Sequence, residues 1–254
     1  LVNYNERQRL NHVLQLLSSE FPADDHEVLV VDNESTDGSV NMVENTWPNV
    51  QLLKPGRNLM YGKGNNLGMS RAQGEWFLIM NVDVDWQRGD LKKFVDTAKT
   101  KNNLGLAGPQ LRYPDGRIQI SAHHAFPSLP TLFVDYCLPL QQLLMKIGRH
   151  PYQESLAAHV TSHRVAHVTG ACLLLPRSTY EQLGGFDPRF TMYLEETEWQ
   201  KRMAEARLDR WLIADSSIIH YGSAAKAFAQ ASRHFLWGLS LYSNLHWSGP
   251  AKKI

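Results

Sequence analysis

Glu27-Val28-Leu29-Val30-Val31-Asp32-Asn33-Glu34-Ser35-Thr36-Asp37-Gly38 is the stretch on which the fold turns. Residues 27–31 form a short, β-branched apolar run, the pattern of a buried strand. The run stops at a polar turn that leads into a short helix. Upstream, Leu10, Val13, Leu14, Leu17 and Phe21 recur at helical spacing, so about Glu6 to Glu20 reads as an amphipathic helix. Downstream the alternation repeats. Val50 to Leu53 is a strand, Gly56-Arg57-Asn58 a loop, and the glycine-rich segment Gly62 to Gly68 opens a helix. Trp76 to Met80 is a third buried strand, halting at Asn81-Val82-Asp83-Val84-Asp85, and Leu91, Phe94, Val95 and Ala98 mark one more helix. Such βαβα alternation predicts an α/β fold with a mainly parallel sheet and helices on both faces. Ligands of these sheets bind beyond the carboxyl ends of the strands. Asp32 and Asp83 stand at two such ends.

The second half reads differently. Tyr113-Pro114-Asp115-Gly116-Arg117 is a hairpin turn. Leu129 to Ile147 is an apolar-rich helical insertion, Val165 to Leu175 a strand, and Tyr180 to Leu183 a helix end before Gly184-Gly185. Glu195 to Ala206 is a helix, Trp211–Ala214 and Ile218–His220 are short strands, and a long helix closes the chain. The expected organisation is one domain in two halves, a donor half over 1–110 and an acceptor half over 111–222, with a helical tail over 223–254.

Charge and composition narrow the classes further. The 254 residues carry 26 basic and 25 acidic side chains, a net charge of +1, with 43% hydrophobic residues. That balance excludes disorder and a general nucleic-acid binder. Cys137 and Cys172 stand far apart with no CxxC spacing, which fits a reducing, cytoplasmic compartment and excludes a disulfide framework. No apolar run approaches the ~18 residues of a membrane span. The chain opens at Leu1 inside what reads as a strand, so further residues are expected before it.

Taken together, the motifs carry a resemblance. Val30-Val31-Asp32-Asn33-Glu34-Ser35-Thr36-Asp37-Gly38-Ser39, then Gly56-Arg57-Asn58, Asn65-Asn66-Leu67-Gly68 and Met80-Asn81-Val82-Asp83 resemble the donor half of family 2 glycosyltransferases. Thr169-Gly170-Ala171, Gly184-Gly185-Phe186-Asp187, Met192-Tyr193-Leu194-Glu195-Glu196-Thr197-Glu198 and Ile219-His220 follow in the family's order. Each motif alone is weak; the unbroken order from about Leu1 to Trp247 is specific. The chain is most similar to the bacterial rhamnosyltransferase-like branch with the GT-A fold. The resemblance implies an inverting, metal-dependent enzyme that moves a sugar, rhamnose in that branch, from a nucleoside diphosphate sugar. A dTDP- or UDP-sugar is the favoured donor, and a cell-surface glycan or lipid-linked glycan the acceptor.

The implied roles are carried over residue by residue. Asn5, Asp32, Asn33, Ser35, Arg57, Asn66 and Asn81 fall at the donor site, with Asp32 accepting from the imide of the base. Asp83 is the expected ligand of a divalent Mg²⁺ or Mn²⁺, a hard cation that shares oxygen coordination with substrate phosphates. Asp85 and His220 are the further ligand candidates, since Asn81 replaces the first acid of the usual Asp-x-Asp and Asp83-Val84-Asp85 is itself such a pair. Glu196 falls on the base, where relatives carry Asp, with Glu195 beside it. Acids in a first helical turn also favour the helix dipole, so capping competes with catalysis there. The Gly62–Gly68 loop has GxGxxxG spacing and is neither a dinucleotide fingerprint nor a P-loop. It reads equally as a phosphate approach or as a plain helix start. Asp32–Gly38 does not fit an EF-hand, and the four-residue spacing of His159, His163 and His167 reads as accidental. Asn81 and the Asp-to-Glu change at 196 also leave room for a non-catalytic nucleotide-sugar-binding or scaffold module; a glycoside hydrolase would need two carboxylates across a sugar and no nucleotide site.

From Tyr221 to Ile254 the sequence has Lys226, Arg233, Lys252 and Lys253 and no acid. Phe228, Phe235 and Tyr242 repeat at seven residues, with Ala231 and Leu245 alongside. Such a tail can lie on an anionic membrane, here the inner face of the cytoplasmic membrane, or pack back on the domain.

Overall fold

The parallel pairing expected of the first strands is formed by β1 (Val2–Asn3), β2 (Val28–Asp32) and β3 (Val50–Leu53), a three-stranded sheet in that order. Residues 1–222 and 228–248 are described by this computed structural model. Helix α1 (Arg7–Glu20) buries Leu10, Val13, Leu14 and Leu17, the face its periodicity specified. Its Leu10 and Leu14 pack with Val30 of β2 and with Met42 and Val43 of α2 (Ser39–Thr46).

Helix α3 (Met60–Arg71) takes the whole glycine run into its interior rather than opening after it. A Cβ at Gly62 would meet Phe186 Cβ at 3.2 Å, and one at Gly64 would meet both methyls of Val2 at 3.0 Å. The glycines therefore let α3 lie close on β1 and on Phe186. This packing is a role that neither sequence reading named.

A seven-stranded mixed sheet continues the domain. Its path is β4 (Trp76–Met80), β11 (Cys172–Pro176), β6 (Leu104–Arg112), β12 (Asp209–His220) and β5 (Val84–Asp85). β7 (Ile118–Gln119) pairs with β6 across the expected 113–117 turn, and β9 (His163–Arg164) pairs with β12. β6 and β12 run parallel, while β4–β11, β11–β6 and β12–β5 are antiparallel. On β11, Cys172 and Leu174 face α4 (Asp90–Lys99), whereas Leu173 and Leu175 face α8 (Glu195–Glu205) and its Trp199. The continuous apolar run is a strand covered on both faces.

Four sequence readings change in detail. Strand β6 is absent from the sequence reading. The insertion is two helices, α5 (Leu129–Tyr136) and α6 (Leu138–Lys146), because Pro139 has no N–H with which to continue α5. Residues 165–175 divide into β10 (His167–Val168), which pairs with β8 (Ala122–His123), and β11, separated by the bend Thr169-Gly170-Ala171. The two short strands near the end are one, β12, whose register shifts between Ile213 and Ser217. After β11, α7 (Arg177–Leu183) ends at Gly184, in a backbone conformation with φ +71°.

The last helix, α9 (Phe228–His246), packs Leu239 and Tyr242 on Phe190 and Leu194, with Phe235 partly buried in the same cluster. The described members of the seven-residue stripe, Phe235 and Tyr242, thus face the domain, the packing alternative for that helix. Lys226, Lys252 and Lys253 lie outside the described residues. Among the described residues no helix is long and apolar enough to cross a membrane.

Candidate functional site

Three chain segments meet around Tyr61. The loop after β2 reaches α3 through Asn33, whose side-chain amide donates to the Met60 carbonyl and accepts from the Leu59 N–H at 3.1 Å. One residue on, the Tyr61 hydroxyl donates to the Gly170 carbonyl in the bend between β10 and β11. The next residue in that bend, Ala171, accepts from the N–H of Asn81 at 2.9 Å, just past β4. Tyr61 is also close enough to Glu195 and Glu196 that, with burial, their charges push its phenol well above the usual tyrosine range. The hydroxyl thus stays protonated and gives its one hydrogen to the Gly170 carbonyl. Sequence reasoning missed Tyr61; its signal was an aromatic side chain just ahead of helix glycines.

Asp32 is fully buried at the end of β2. One oxygen accepts from Asn3 Nδ2 at 2.9 Å and the other from the Ser35 N–H at 2.8 Å. Ser35 Oγ accepts from the Asn5 N–H at 2.9 Å, and Asn5 Oδ1 from the Thr36 N–H at 2.7 Å. These bonds order the loop. Each carboxylate oxygen retains a second acceptor position.

Asp83 sits between β4 and β5, with its carboxylate 3.5 Å from His220 Nε2 at the end of β12. The pairing is fixed by the backbone: His220 lies opposite Val84, and the Tyr221 N–H donates to the Asp83 carbonyl at 2.9 Å. His220 Nδ1 meets Gln119 Oε1 at 3.0 Å, which leaves Nε2 on the side of Asp83. Burial works against the Asp83 charge, but His220 and then Arg9 outweigh it and hold the carboxyl below its ordinary value. The carboxylate suits Mg²⁺ or Mn²⁺, and the imidazole beside it, a nitrogen donor, tilts the pair toward Mn²⁺. Two protein ligands leave positions for waters and phosphate oxygens. Among the described residues no group of three or more His, Cys, Asp or Glu side chains is placed to hold a metal alone.

Asp85 is committed elsewhere, with Oδ1 accepting from the Trp86 N–H and Oδ2 facing His12 at 3.3 Å and Tyr221 at 3.2 Å. Asn66 is spent on structure too. Its amide donates to the Phe186 carbonyl at 2.7 Å and accepts from the Phe186 N–H at 2.9 Å, clamping α3 to the Gly184–Asp187 turn. Arg57 is exposed in the loop ahead of α3.

The acid pair opens α8. Leu194, just ahead of it, has φ +68°, and Tyr193 has φ +66°. Two consecutive non-glycine residues in the left-handed region are strained and turn the chain sharply into the helix. Glu195 is buried, with Oε2 lacking a hydrogen-bond partner. Burial raises its carboxyl above the ordinary range and the Glu196 charge adds to that; burial raises Glu196 as well, opposed by the helix N–H groups. Glu198 has a different part: its carboxylate binds Arg202 Nε at 2.9 Å, and that guanidinium also donates to the Leu183 and Gly185 carbonyls. It braces α8 against the turn after α7. The three spaced histidines are likewise separate: His159 accepts from the Ser121 and Ala122 N–H groups, His163 faces Glu154, and His167 stacks on His123.

Residues 1–184 match the family model described as glycosyl transferase family 2. A curated relative, N-acetylglucosaminyl-diphospho-decaprenol L-rhamnosyltransferase of Mycobacterium tuberculosis, is 33% identical over 239 residues, covering 87% of this chain and 74% of the relative. The O-antigen biosynthesis protein RfbC of Myxococcus xanthus is 27% identical over 231 residues, 88% of this chain but 17% of that protein. Among solved structures, the mannosyltransferase PcManGT of Pyrobaculum calidifontis, in complex with GDP-Man and Mn²⁺, superposes with a TM-score of 0.64 at 18% identity. S. aureus TarS does so with a TM-score of 0.60 at 16% identity. The matches cover 99% and 95% of this chain, which spans 65% and 62% of those two chains. The likeness shows the GT-A-like fold expected from the motifs. With the family model covering most of its length, the chain belongs to glycosyl transferase family 2.

Proposed function

We propose that the protein transfers a sugar from a nucleoside diphosphate sugar to a hydroxyl of a lipid-linked or cell-surface glycan, with inversion at the anomeric carbon. The observation that carries this reading is the convergence of the Asp32 loop, Asn81 and the Glu195–Glu196 pair on Tyr61 and the 169–171 bend. Donor and acceptor chemistry would then meet at the strand ends. The name of the mycobacterial relative supports a lipid-linked acceptor and a rhamnosyl donor. The free thiols of Cys137 and Cys172 accord with a reducing compartment.

Segment 1–110 holds the donor. Asp32 has acceptor positions for a uracil or thymine imide, and Arg57 is free at the surface to meet phosphate. Asp83 and His220 would hold the divalent ion, which supplies, when bound, positive charge against the leaving diphosphate. Segment 111–222 supplies the base. Glu196 takes the proton of the acceptor hydroxyl, whose oxygen bonds to the anomeric carbon as the bond to diphosphate breaks and its electron pair leaves with that group. A carboxyl raised by burial toward neutrality is a better match for this task than an ordinary one. Adjacent helical residues point about 100° apart, so Glu195 faces another way and is left to the acceptor or to backbone.

Transfer measured with a panel of nucleotide sugars tests this. Glu196→Gln should cost about 10²–10⁴ in turnover with donor affinity little changed. Transfer that survives Glu196→Gln and fails in Glu195→Gln would reverse the assignment. Absence of transfer and of donor hydrolysis in the wild type, with nucleotide still bound, would favour a binding module.

A further inference from the structure

The α5–α6 insertion presents apolar side chains that the domain does not cover. Within it, Val134 is buried and Leu132 packs toward Phe190, Leu194 and α9. Phe133, between them in sequence, is 69% exposed. On α6, Leu143 and Ile147 are 55% and 53% exposed, and four residues apart they share one helix face. On the neighbouring α9, Leu236 and Trp237 are each 60% exposed, with the indole N–H of Trp237 reaching the Arg189 carbonyl at 3.4 Å. Scattered exposed leucines need no explanation, but this concentration on one insertion and its neighbouring helix does.

The charges on the same elements are mostly basic, with Asp135 of α5 the one acid. From Tyr136 to Gln153 the sequence has no acid, while Lys146 and Arg149 stand exposed beside Ile147. α9 carries Arg233 and no acid. A second copy of this chain, docked through the same patch, would bring Lys146 and Arg149 against their own counterparts, with Asp135 the one carboxylate on the two helices to set against the two cations. An anionic lipid surface offers the complement to both features: headgroup charge for the two cations and an acyl boundary for Phe133, Leu143 and Ile147. Neither helix is long or apolar enough to cross a bilayer, so the mode is lying on the surface.

We propose that the α5–α6 insertion docks the protein on anionic membrane, with Phe133, Leu143 and Ile147 entering the interface and Lys146 and Arg149 meeting lipid headgroups. This places the contact on the insertion rather than on the α9 stripe, whose Tyr242 faces the domain. The inference does not depend on which sugar or acceptor is used.

The test uses the full chain and vesicles of phosphatidylcholine with or without phosphatidylglycerol. Wild type should co-sediment with anionic vesicles at low salt and release as salt rises. Phe133→Asp with Ile147→Asp should weaken binding at least about tenfold. Lys146→Gln with Arg149→Gln should weaken it about fivefold per charge on anionic vesicles, with no change on neutral ones. Nucleotide affinity and thermal midpoint, measured on the same variants, should match wild type; their loss would be a folding or donor-site failure and is thereby told apart. Undiminished binding of both double variants with wild-type folding would overturn the proposal in favour of the tail. So would a wild-type dimer in light scattering that the Phe133/Ile147 variant dissociates.

Discussion

Asp83, the proposed metal ligand, and Glu195, beside the proposed base, carry carboxyls that their surroundings push in opposite directions. Asp83 is held ionised by His220 and Arg9 despite burial. Asp83→Ala should therefore abolish the part of nucleoside diphosphate affinity that depends on divalent ion while leaving the fold intact. Calorimetry with and without Mn²⁺ checks this, and an unchanged metal-dependent affinity would remove Asp83 from the site. Glu195 is pushed the other way by burial and by Glu196. The folded chain therefore keeps a proton that the unfolded chain has already released, over the window from the ordinary carboxyl range to the raised one. Its contribution to stability falls as pH climbs through that window. Glu195→Gln removes the titration, so its thermal midpoint should exceed wild type at about pH 8 and converge on it toward about pH 4. A difference that stays constant with pH would contradict the burial argument. These acids were legible because strand ends and a helix start are marked in the sequence. The commitments of Asn66 and Asp85 were not, because their partners lie far along the chain, at Phe186 for the one and at His12 and Tyr221 for the other.

Strand β6 shows what the sequence hides at the level of an element. Leu104-Gly105-Leu106-Ala107-Gly108-Pro109-Gln110-Leu111-Arg112 carries two glycines and a proline, the residues that ordinarily argue against a central strand. The sheet supplies the reasons for them. A Cβ at Gly105 would come within 2.8 Å of Leu208 Cβ, and one at Gly108 within 2.8 Å of Val168 Cγ2. Pro109, with no N–H to give, lies opposite Ile213, where the register of β12 begins to shift. Only after β12 and β10 are placed do the glycines make sense, so no local pattern could reveal the strand. Strands β2 and β4, whose apolar runs are uninterrupted, were legible from the sequence, and so were β3 and the amphipathic face of α1. Gly108→Ala should lower stability by about 1–3 kcal/mol through overpacking, read as a lower urea midpoint at unchanged slope. Pairing it with Val168→Ala should recover part of that loss. Full stability of the single variant would show that the neighbouring strand gives way freely.

Across the whole molecule, the donor loops and the acid pair are held by different supports. The Asp32 loop and α3 are tied to β1 and β2, whereas the turn into α8 is overlaid by α9. Gly238 is the point of closest approach: a Cβ there would fall 2.9 Å from the Tyr193 carbonyl, and Leu239 and Tyr242 pack on Phe190 and Leu194. Tyr193 and Leu194 hold strained dihedrals, and such conformations persist only where the surroundings enforce them. The last helix is therefore part of what aims Glu195 and Glu196, although it contributes no acid of its own. Gly238→Ala should move the Tyr193 turn by a few tenths of an ångström, and the larger Gly238→Val by more. Since a displacement of about 1 Å at reacting groups can cost about 10²-fold, turnover should fall roughly tenfold or further in Gly238→Val, with Gly238→Ala between it and wild type. Nucleotide affinity should be unchanged in both, because no donor residue leans on α9. Steady-state kinetics beside nucleotide calorimetry separates the two quantities. Equal losses in turnover and nucleotide affinity would mean that α9 supports the fold at large and not the aim of the acid pair.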